Sequence, residues 1–517
     1  MFRTLLVLSA LAPAAIGQQT VPERTDYRAT SRHADVVAYC ESLAKKSPVV
    51  RLTEIGKSGE GRALPMLILA DPPVATPDEA AKSAKLVVLL FANIHAGEVD
   101  GKEAVQMLAR DIAAGADKEL LKELVVLVVP ILNADGNERI DKAHRPEQNG
   151  PPDGVGVREN AAGLDLNRDF VKLESPEVRA LARVVRRWDP AVTVDLHTTN
   201  GSFHRYTLTY DGPRNPAADP DLVAAVRDRW LPAIGAAVEK GSGYRSFLYG
   251  NFSADRTAWE TYPAVPRFGV QWLALRNRVG LLSESYSYAT FKDRILVGKA
   301  YAREILRYVA AHPAELHKLL ANAERPRDRI PLRTKAVSLG ERTVLGFVEE
   351  LKDGHRVPTK EAKDYRLALV AGVEPTLEVQ RPLVYLIPAS YSGPVETLQR
   401  HGIEVEELRA GTELACHVYT VEKAARAERA FQKHNLVTTE VTRRDETRKV
   451  AAGTRVVRTG QKLGTLASYL LEPQAEDGLT AWNAFDPLLA GKDFPVVRVP
   501  KEAKFETRPV PPLAEDR

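Results

Sequence analysis

The sequence predicts an α/β fold, a mixed, largely parallel sheet flanked by helices, followed by a second mixed α/β region. Three observations predict it. Two unbroken apolar runs, residues 86–91 and 124–132, have the composition of strands covered on both faces. Stretches of helical period alternate with such runs from about residue 45 to residue 311, the pattern of a sheet wrapped by helices. Past residue 331 the chain changes to short apolar runs separated by polar segments, with two further helical patterns.

Each element has a local reason. Ser31 is placed to cap a helix through Val36, Val37 and Leu43, with Lys45 and Lys46 in its last turn. Residues 49–55 and 63–70 are apolar and joined by the Gly-rich stretch 56–61, which predicts a β-hairpin. Between the two buried-strand runs, residues 101–113 read as a helix. Ser175-Pro176-Glu177 combines a capping Ser, Pro at the first helical position and an early acid, so a helix starts there and runs to about Trp188. The apolar run 191–196 follows. Residues 221–239 and 292–311 read as helices, and 279–282 as a short strand. Arg325-Pro326-Arg327-Asp328-Arg329 is polar and reads as a linker. Beyond it, strands are expected at 343–349, 367–373, 383–388, 417–421, 454–458 and 467–471, with helices at 395–401 and 422–434. The resulting division is a leader, 1–17; a catalytic domain, 18–325; a C-terminal mixed domain, 326–505; and a loose tail, 506–517.

The 517 residues suffice for two domains with cores of their own. With 44% apolar and 27% charged residues and a net charge of +4, no polyanionic partner is indicated, and nucleic-acid binding is not expected. Arg3, the apolar stretch 5–15 and Ala15-Ile16-Gly17 have the layout of a secretory signal peptide, so the protein is expected to be secreted or periplasmic. No later stretch reaches the ~18 apolar residues of a membrane helix. Cys40 and Cys416 are far apart and belong to no metal or redox motif; they are expected to be buried and unpaired.

The chemistry-bearing motif is His95-Ala96-Gly97-Glu98, followed 99 positions after the Glu by His197. An H-x-x-E pair with a distant third His is the minimal set for a catalytic zinc site, in which three protein ligands leave a fourth position open. His95 and Glu98 follow one expected strand, and His197 follows another. Ligand sites in open α/β sheets gather at the carboxyl ends of strands, so the three can meet. One zinc ion per chain is therefore expected on His95, Glu98 and His197.

These residues, with the segment 158–170 (which contains Gly163-Leu164-Asp165-Leu166-Asn167-Arg168), Asp195-Leu196-His197 and Gly280-Leu281-Leu282-Ser283-Glu284, come in the order found in the zinc carboxypeptidase family M14. The resemblance covers roughly residues 25–312, and its G-x-D-L-N-R stretch is similar to the branch that includes the regulatory carboxypeptidases. It implies that Asn167 and Arg168 hold a peptide's terminal carboxylate, for which a planar, permanently charged fork is suited. It implies that Arg158, nine positions before Asn167, steadies the oxyanion, with Arg139 and Arg145 as rivals. Glu284 is implied as general base, with Glu260 as rival. Tyr262, 22 positions before Glu284, resembles the family's substrate-binding Tyr; Tyr286 and Tyr288 are alternatives. The chain departs from the family at Gly97, where digestive members carry Arg, at Asp169, and at Thr198-Thr199-Asn200. Arg267, in the stretch 263–278 where the specificity pocket is expected, hints at acidic substrates.

The resemblance thus implies a zinc metallocarboxypeptidase acting on peptides with a free C-terminal carboxylate. Two other readings remain: a zinc-dependent amidase on N-acyl amino acids or cell-wall peptides, and a non-catalytic peptide-binding protein that keeps the fold. The C-terminal region could also be a carbohydrate- or surface-binding module, although none of its residues specifies a ligand.

Overall fold

The computed structural model describes residues 18–352 and 355–514; the expected leader, 1–17, lies outside the described residues. The first part is built on an eight-stranded sheet. Its strands are β1 (Val50–Lys57), β2 (Ala63–Leu69), β3 (Leu86–Ala92), β4 (Leu124–Val129), β5 (Val192–Thr198), β6 (Leu208–Asp211), β7 (Ser246–Leu248) and, after the short β8 (Asn251–Phe252) and β9 (Ala258–Glu260), β10 (Val279–Ser285). Their order across the sheet is β1-β2-β4-β3-β5-β10-β6-β7. The central four, β4, β3, β5 and β10, are mutually parallel. The expected hairpin β1–β2 joins on one side and β6 on the other, both antiparallel to their neighbours.

β3, β4, β5 and β10 are buried along their whole length, which is why they read as continuous apolar runs. The helices Asp100–Ala113 and Phe291–Ala311 lie together over the face to which Leu196 points. Close approach there requires glycine: a Cβ on Gly101 would fall 2.8 Å from Cβ of Leu196. The helix Gly269–Leu275 covers the opposite face. That face carries Asp195, His197, Leu282 and Glu284, because side chains alternate along a strand.

Several local expectations are corrected. Ser31 does not cap the helix His33–Lys46; Arg32 occupies that position. The Ser31 hydroxyl instead donates to Glu103 at 2.8 Å, since this fully buried carboxylate also draws in Thr30 and the Ser31 backbone. The expected helix 221–239 is Pro220–Ala225, one π turn Val226–Trp230, and Leu231–Ser242. Pro232, which has no N–H to give, sits just after the π turn. Ser175 caps Pro176–Trp188 as expected, accepting from Val178.

The linker shrinks to a few residues after the helix Pro313–Ala323, because β11 (Arg329–Lys352) starts at Arg329 and pairs with β12 (His355–Gln380) as a long antiparallel ribbon. The expected strands 343–349 and 367–373 are segments of this ribbon. β12 also pairs with β9, in parallel, so the ribbon is hydrogen-bonded to the first part of the chain.

The remainder forms a seven-stranded antiparallel sheet of β13 (Val384–Ile387), β14 (Glu406–Leu408), β15 (Thr412–Arg426), β16 (Val437–Val450), β17 (Arg455–Arg458), β18 (Val497–Val499) and β19 (Thr507–Pro509). Residues 506–517 are thus not loose throughout, since β19 pairs with β14. Residues 422–426 extend β15 rather than starting a helix, and 467–471 belong to the helix Gly464–Leu471 rather than to a strand. That helix is buried all round, and a uniformly apolar run carries no period to tell the two forms apart. One continuous apolar cluster joins both parts, from Val36 and Leu181 to Leu332, Tyr385 and Phe485. Cys40 and Cys416 are both buried and free. No helix of the described residues is long and apolar enough to cross a membrane.

Candidate metal centre

Three parallel strands end side by side and deliver the site. The chain leaves β3 at Ala92 and presents His95 and Glu98 before the helix Asp100–Ala113 begins. His197 is the penultimate residue of β5, and Glu284 that of β10; in the parallel register the two are direct neighbours. The sequence premise of convergence holds. Nδ1 of His95 lies 3.0 Å from Oε1 of Glu98, and Nδ1 of His197 lies 2.8 Å from Oε2. Donor atoms of the three residues all lie within 4.8 Å of one another, and all three are buried.

The far side of each imidazole is also engaged. Nε2 of His95 lies 2.9 Å from Oδ1 of Asp165, and Nε2 of His197 lies 2.8 Å from Oδ2 of Asp195. A carboxylate behind each His fixes ring orientation and favours the tautomer whose inner nitrogen is free for a metal. This donor set, two imidazoles and a carboxylate with the outer nitrogens paired, fits a zinc ion. Electrostatics point the same way. Burial opposes a charged His197, yet Asp195 and Glu98 hold its pKa well above the ordinary value. Burial likewise pushes Glu98 up, but His95, Arg145 and His197 hold it well below the usual carboxylate range. The cluster therefore favours positive charge beside an ionised Glu98.

All eight side chains singled out from the sequence, His95, Glu98, Arg158, Asn167, Arg168, His197, Tyr262 and Glu284, line one cavity of about 350 Å³. The short helical turn Leu166–Arg168, held by the Asp165 side chain accepting from the Asn167 N–H, carries Asn167 and Arg168 to its wall. Arg168 lies over the Phe268 ring at 4.4 Å. Arg158 donates to Asp165 through Nε at 2.9 Å, and its Nη1 lies 3.3 Å from Nδ1 of His95.

Its rivals sit elsewhere. Arg139 pairs with the exposed Glu60 at 3.2 Å. Arg145 does not line the cavity; it donates to Glu98 at 2.9 Å and to the carbonyls of Thr198 and Thr199. Its stem accounts for Gly97. A Cβ there would lie 2.6 Å from Cδ of Arg145, so this chain has no room for the Arg of digestive members at that position.

Burial raises the Glu284 carboxyl to about 8, with His197 opposing and Glu98 reinforcing the shift. Its rival Glu260 ends β9 rather than lying on a loop, and is exposed. The Tyr262 hydroxyl accepts from Gln271 at 3.2 Å, and Arg214 lies over its ring at 4.7 Å. Tyr286 receives the His204 N–H, and Tyr288 donates to Gly201, so neither faces the cavity.

Sequence reasoning missed Tyr249, which lines the cavity from the loop after β7; a lone Tyr in a loop gives no local signal. Burial, then Glu284 and Glu98, raise its phenol well above normal. Asp165 and Asp195 stood in the quoted motifs but were given no part. Arg267 is the clearest correction. It pairs with Asp477 at 2.8 Å and lies over Trp482, so its charge is satisfied away from the cavity. The wall near it is formed by Phe268, Val270 and Leu282.

The chain is similar in sequence to known proteins. The zinc carboxypeptidase family profile matches residues 36–254. Carboxypeptidase 2 of Trichophyton rubrum is 24% identical over 501 residues, covering 91% of this chain and 86% of its own length. Carboxypeptidase D of Homo sapiens is 34% identical over 179 residues, 29% of this chain and 13% of that protein. Carboxypeptidase A from Helicoverpa armigera aligns over 56% of this chain and 75% of its own at 17% identity, with a TM-score of 0.42. With motifs in family order and metal donors gathered at neighbouring strand ends, residues 36–254 match the zinc carboxypeptidase family M14, whose members are peptide hydrolases.

Proposed function

We propose that this protein is an exported metallocarboxypeptidase that removes the C-terminal residue of peptides, with His95, Glu98 and His197 as ligands of one zinc ion and Glu284 as its general base. One observation carries the reading: the metal-donor trio, the base candidate and the Asn167–Arg168 pair all face the same cavity. Export is supported by the signal-like layout of residues 1–17.

A zinc ion held by the trio supplies a Lewis acid for the scissile carbonyl and lowers the pKa of water to about 7. The chain's own residues do the rest. Arg168 and Asn167 receive the terminal carboxylate and so set which bond is presented. Arg158, held through Asp165, aims its guanidinium at the oxygen that becomes negative. Glu284 takes a proton from the attacking water and hands it to the leaving amine nitrogen, a contribution of roughly 10²–10⁴ in rate. Asp165 and Asp195 keep the outer nitrogens of the two imidazoles protonated. Phe268, Val270 and Leu282 form an apolar wall, which suits an apolar side chain at the cleaved end.

Mass spectrometry of peptides incubated with the protein tests this reading. The expected products are shortened by one residue at the C terminus, the reaction stops with a zinc chelator, and peptides amidated at that end resist. Equal cleavage of free and amidated peptides would remove the carboxylate anchor and leave the amidase reading.

A further inference from the structure

The C-terminal part of the chain contacts the segment that carries Asn167 and Arg168 to the cavity wall. Between β15 and β16, Phe431 and His434 exchange both backbone hydrogen bonds, at 2.8 and 3.0 Å, around a two-residue turn of Gln432 and Lys433. From that tip the Gln432 side-chain carbonyl accepts the backbone N–H of Asp165 at 2.8 Å, a contact spanning 267 positions. Nε2 of His434 lies 3.0 Å from Glu174, and Arg267 lies over the Phe431 ring at 5.5 Å, so both residues flanking the tip contact the first part of the chain.

The partner of this contact is no neutral piece of backbone. Asp165 holds the outer nitrogen of His95, the Nε of Arg158 and the N–H of Asn167 at once. Any shift of the Asp165 backbone is transmitted to a metal donor, the oxyanion Arg and the carboxylate anchor together. The turn itself breaks a local rule. Gln432 and Lys433 have φ of 51° and 65°, the left-handed region that such a turn fills most easily with Asn-Gly. A longer side chain sits there at a conformational cost, and its length is what lets it reach Asp165.

We propose that the C-terminal region is a working part of the cavity: the tip at Gln432 is a positioning element that holds the turn from Asp165 to Arg168 in register with the metal donors. The proposal rests on the roles given to that turn under the proposed function.

The test is Gln432→Asn in the full chain. Asn suits the left-handed position better than Gln but is one methylene too short, so the contact is lost while the turn is relieved. The expected result is an undiminished Tm, a KM for a free-C-terminus peptide raised about fivefold, the usual worth of one hydrogen bond, and a kcat lowered about threefold, because Arg158 and His95 are held through the same carboxylate. Zinc affinity, measured with the metal alone by competition with a chromophoric chelator, is expected to weaken about threefold, less than for a direct partner of a ligand. Lys433→Gly, which keeps Gln432, should raise Tm and leave KM unchanged. Gln432→Met serves if the Asn variant does not fold. KM and zinc affinity both within twofold of wild type, at unchanged Tm, overturn the proposal. A wild-type protein that fails to hydrolyse the peptide removes the underlying reading instead, and the zinc competition, which needs no turnover, still tests the clamp.

Discussion

The two parts of the molecule bury charge to different ends. In the C-terminal part, Glu472 is fully enclosed and closed off by its neighbours: Arg498 at 2.9 Å, the Tyr385 hydroxyl at 2.6 Å and the Tyr419 hydroxyl at 3.1 Å. Both Glu472 carboxylate oxygens meet donors of the same chain, and burial still leaves its pKa raised. At the strand ends of the first part, His95, Glu98, His197 and Glu284 are as deeply buried, but they face a shared cavity. Among the described residues, His95, Glu98 and His197 are the group of His, Cys, Asp and Glu side chains placed to hold a metal. Buried charge alone is therefore no mark of a site. The mark is buried charge whose remaining valence points into empty space.

The comparison breaks most visibly at Glu284. Glu284→Gln is expected to lower kcat by about 10³-fold or more, within the range for a lost general base, while zinc content by elemental analysis stays at wild-type level. Substantial turnover in this variant would reassign the base. The same group sets the acid limb. Glu284 accepts a proton only when ionised, so kcat/KM rises with pH as its carboxyl ionises. Burial, partly offset by His197 and Arg145, puts that pKa at about 8 without the metal, and a bound dication lowers it, so the limb falls below pH 8 in the zinc-loaded protein and is absent from Glu284→Gln.

In the C-terminal part the corresponding lesion is structural. Glu472→Ala strands Arg498 and two hydroxyls and should cost about 3 kcal/mol in a urea titration, with kcat at 25 °C unchanged in the folded fraction. A kcat loss without destabilisation would erase the distinction between the two parts. A smaller effect is expected at the cavity wall. Arg168→Lys keeps the charge but not the paired donors, and KM for free-C-terminus peptides should rise about tenfold while amidated peptides show no change. Least of all is expected on the ribbon. Arg366 and Glu341 face each other at 2.6 Å across β11 and β12 but stand in solvent, and Arg366→Ala should leave Tm where it was.

The legible parts of the fold share one property. β3, β4, β5 and β10 are apolar because both faces are covered, and Ser175 caps its helix through its own hydroxyl. The ribbon β11–β12 was legible only in fragments, because much of it is exposed and held by cross-strand hydrogen bonds and surface pairs such as Lys335 with Glu374, which leave no hydrophobic period. Residues 422–426 have no tertiary signal in their own composition and follow β15 because β16 pairs with them. At the site, the metal-donor candidates His95, Glu98 and His197 were legible from type, spacing and position after strands. The outer carboxylates were not, since Asp165 and Asp195 acquire meaning only from the ring nitrogens they face. Arg267 misled for the same reason: its counter-charge, Asp477, is 210 positions away.

What the sequence by itself determined is the set of chemical actors and the strands that carry them, because covered strands, helix caps and metal-donor spacing are properties of neighbouring residues. Only the tertiary structure decided which cations are spent and which remain available, and which distant loop contacts the segment that carries Asn167 and Arg168. Arg145 goes to Glu98, Arg267 to Asp477, and Gln432 to Asp165. The physical reason is that a charge or a hydrogen-bonding group is defined by what stands within about 3 Å of it, and the chain brings those partners together from 47 to 267 positions apart.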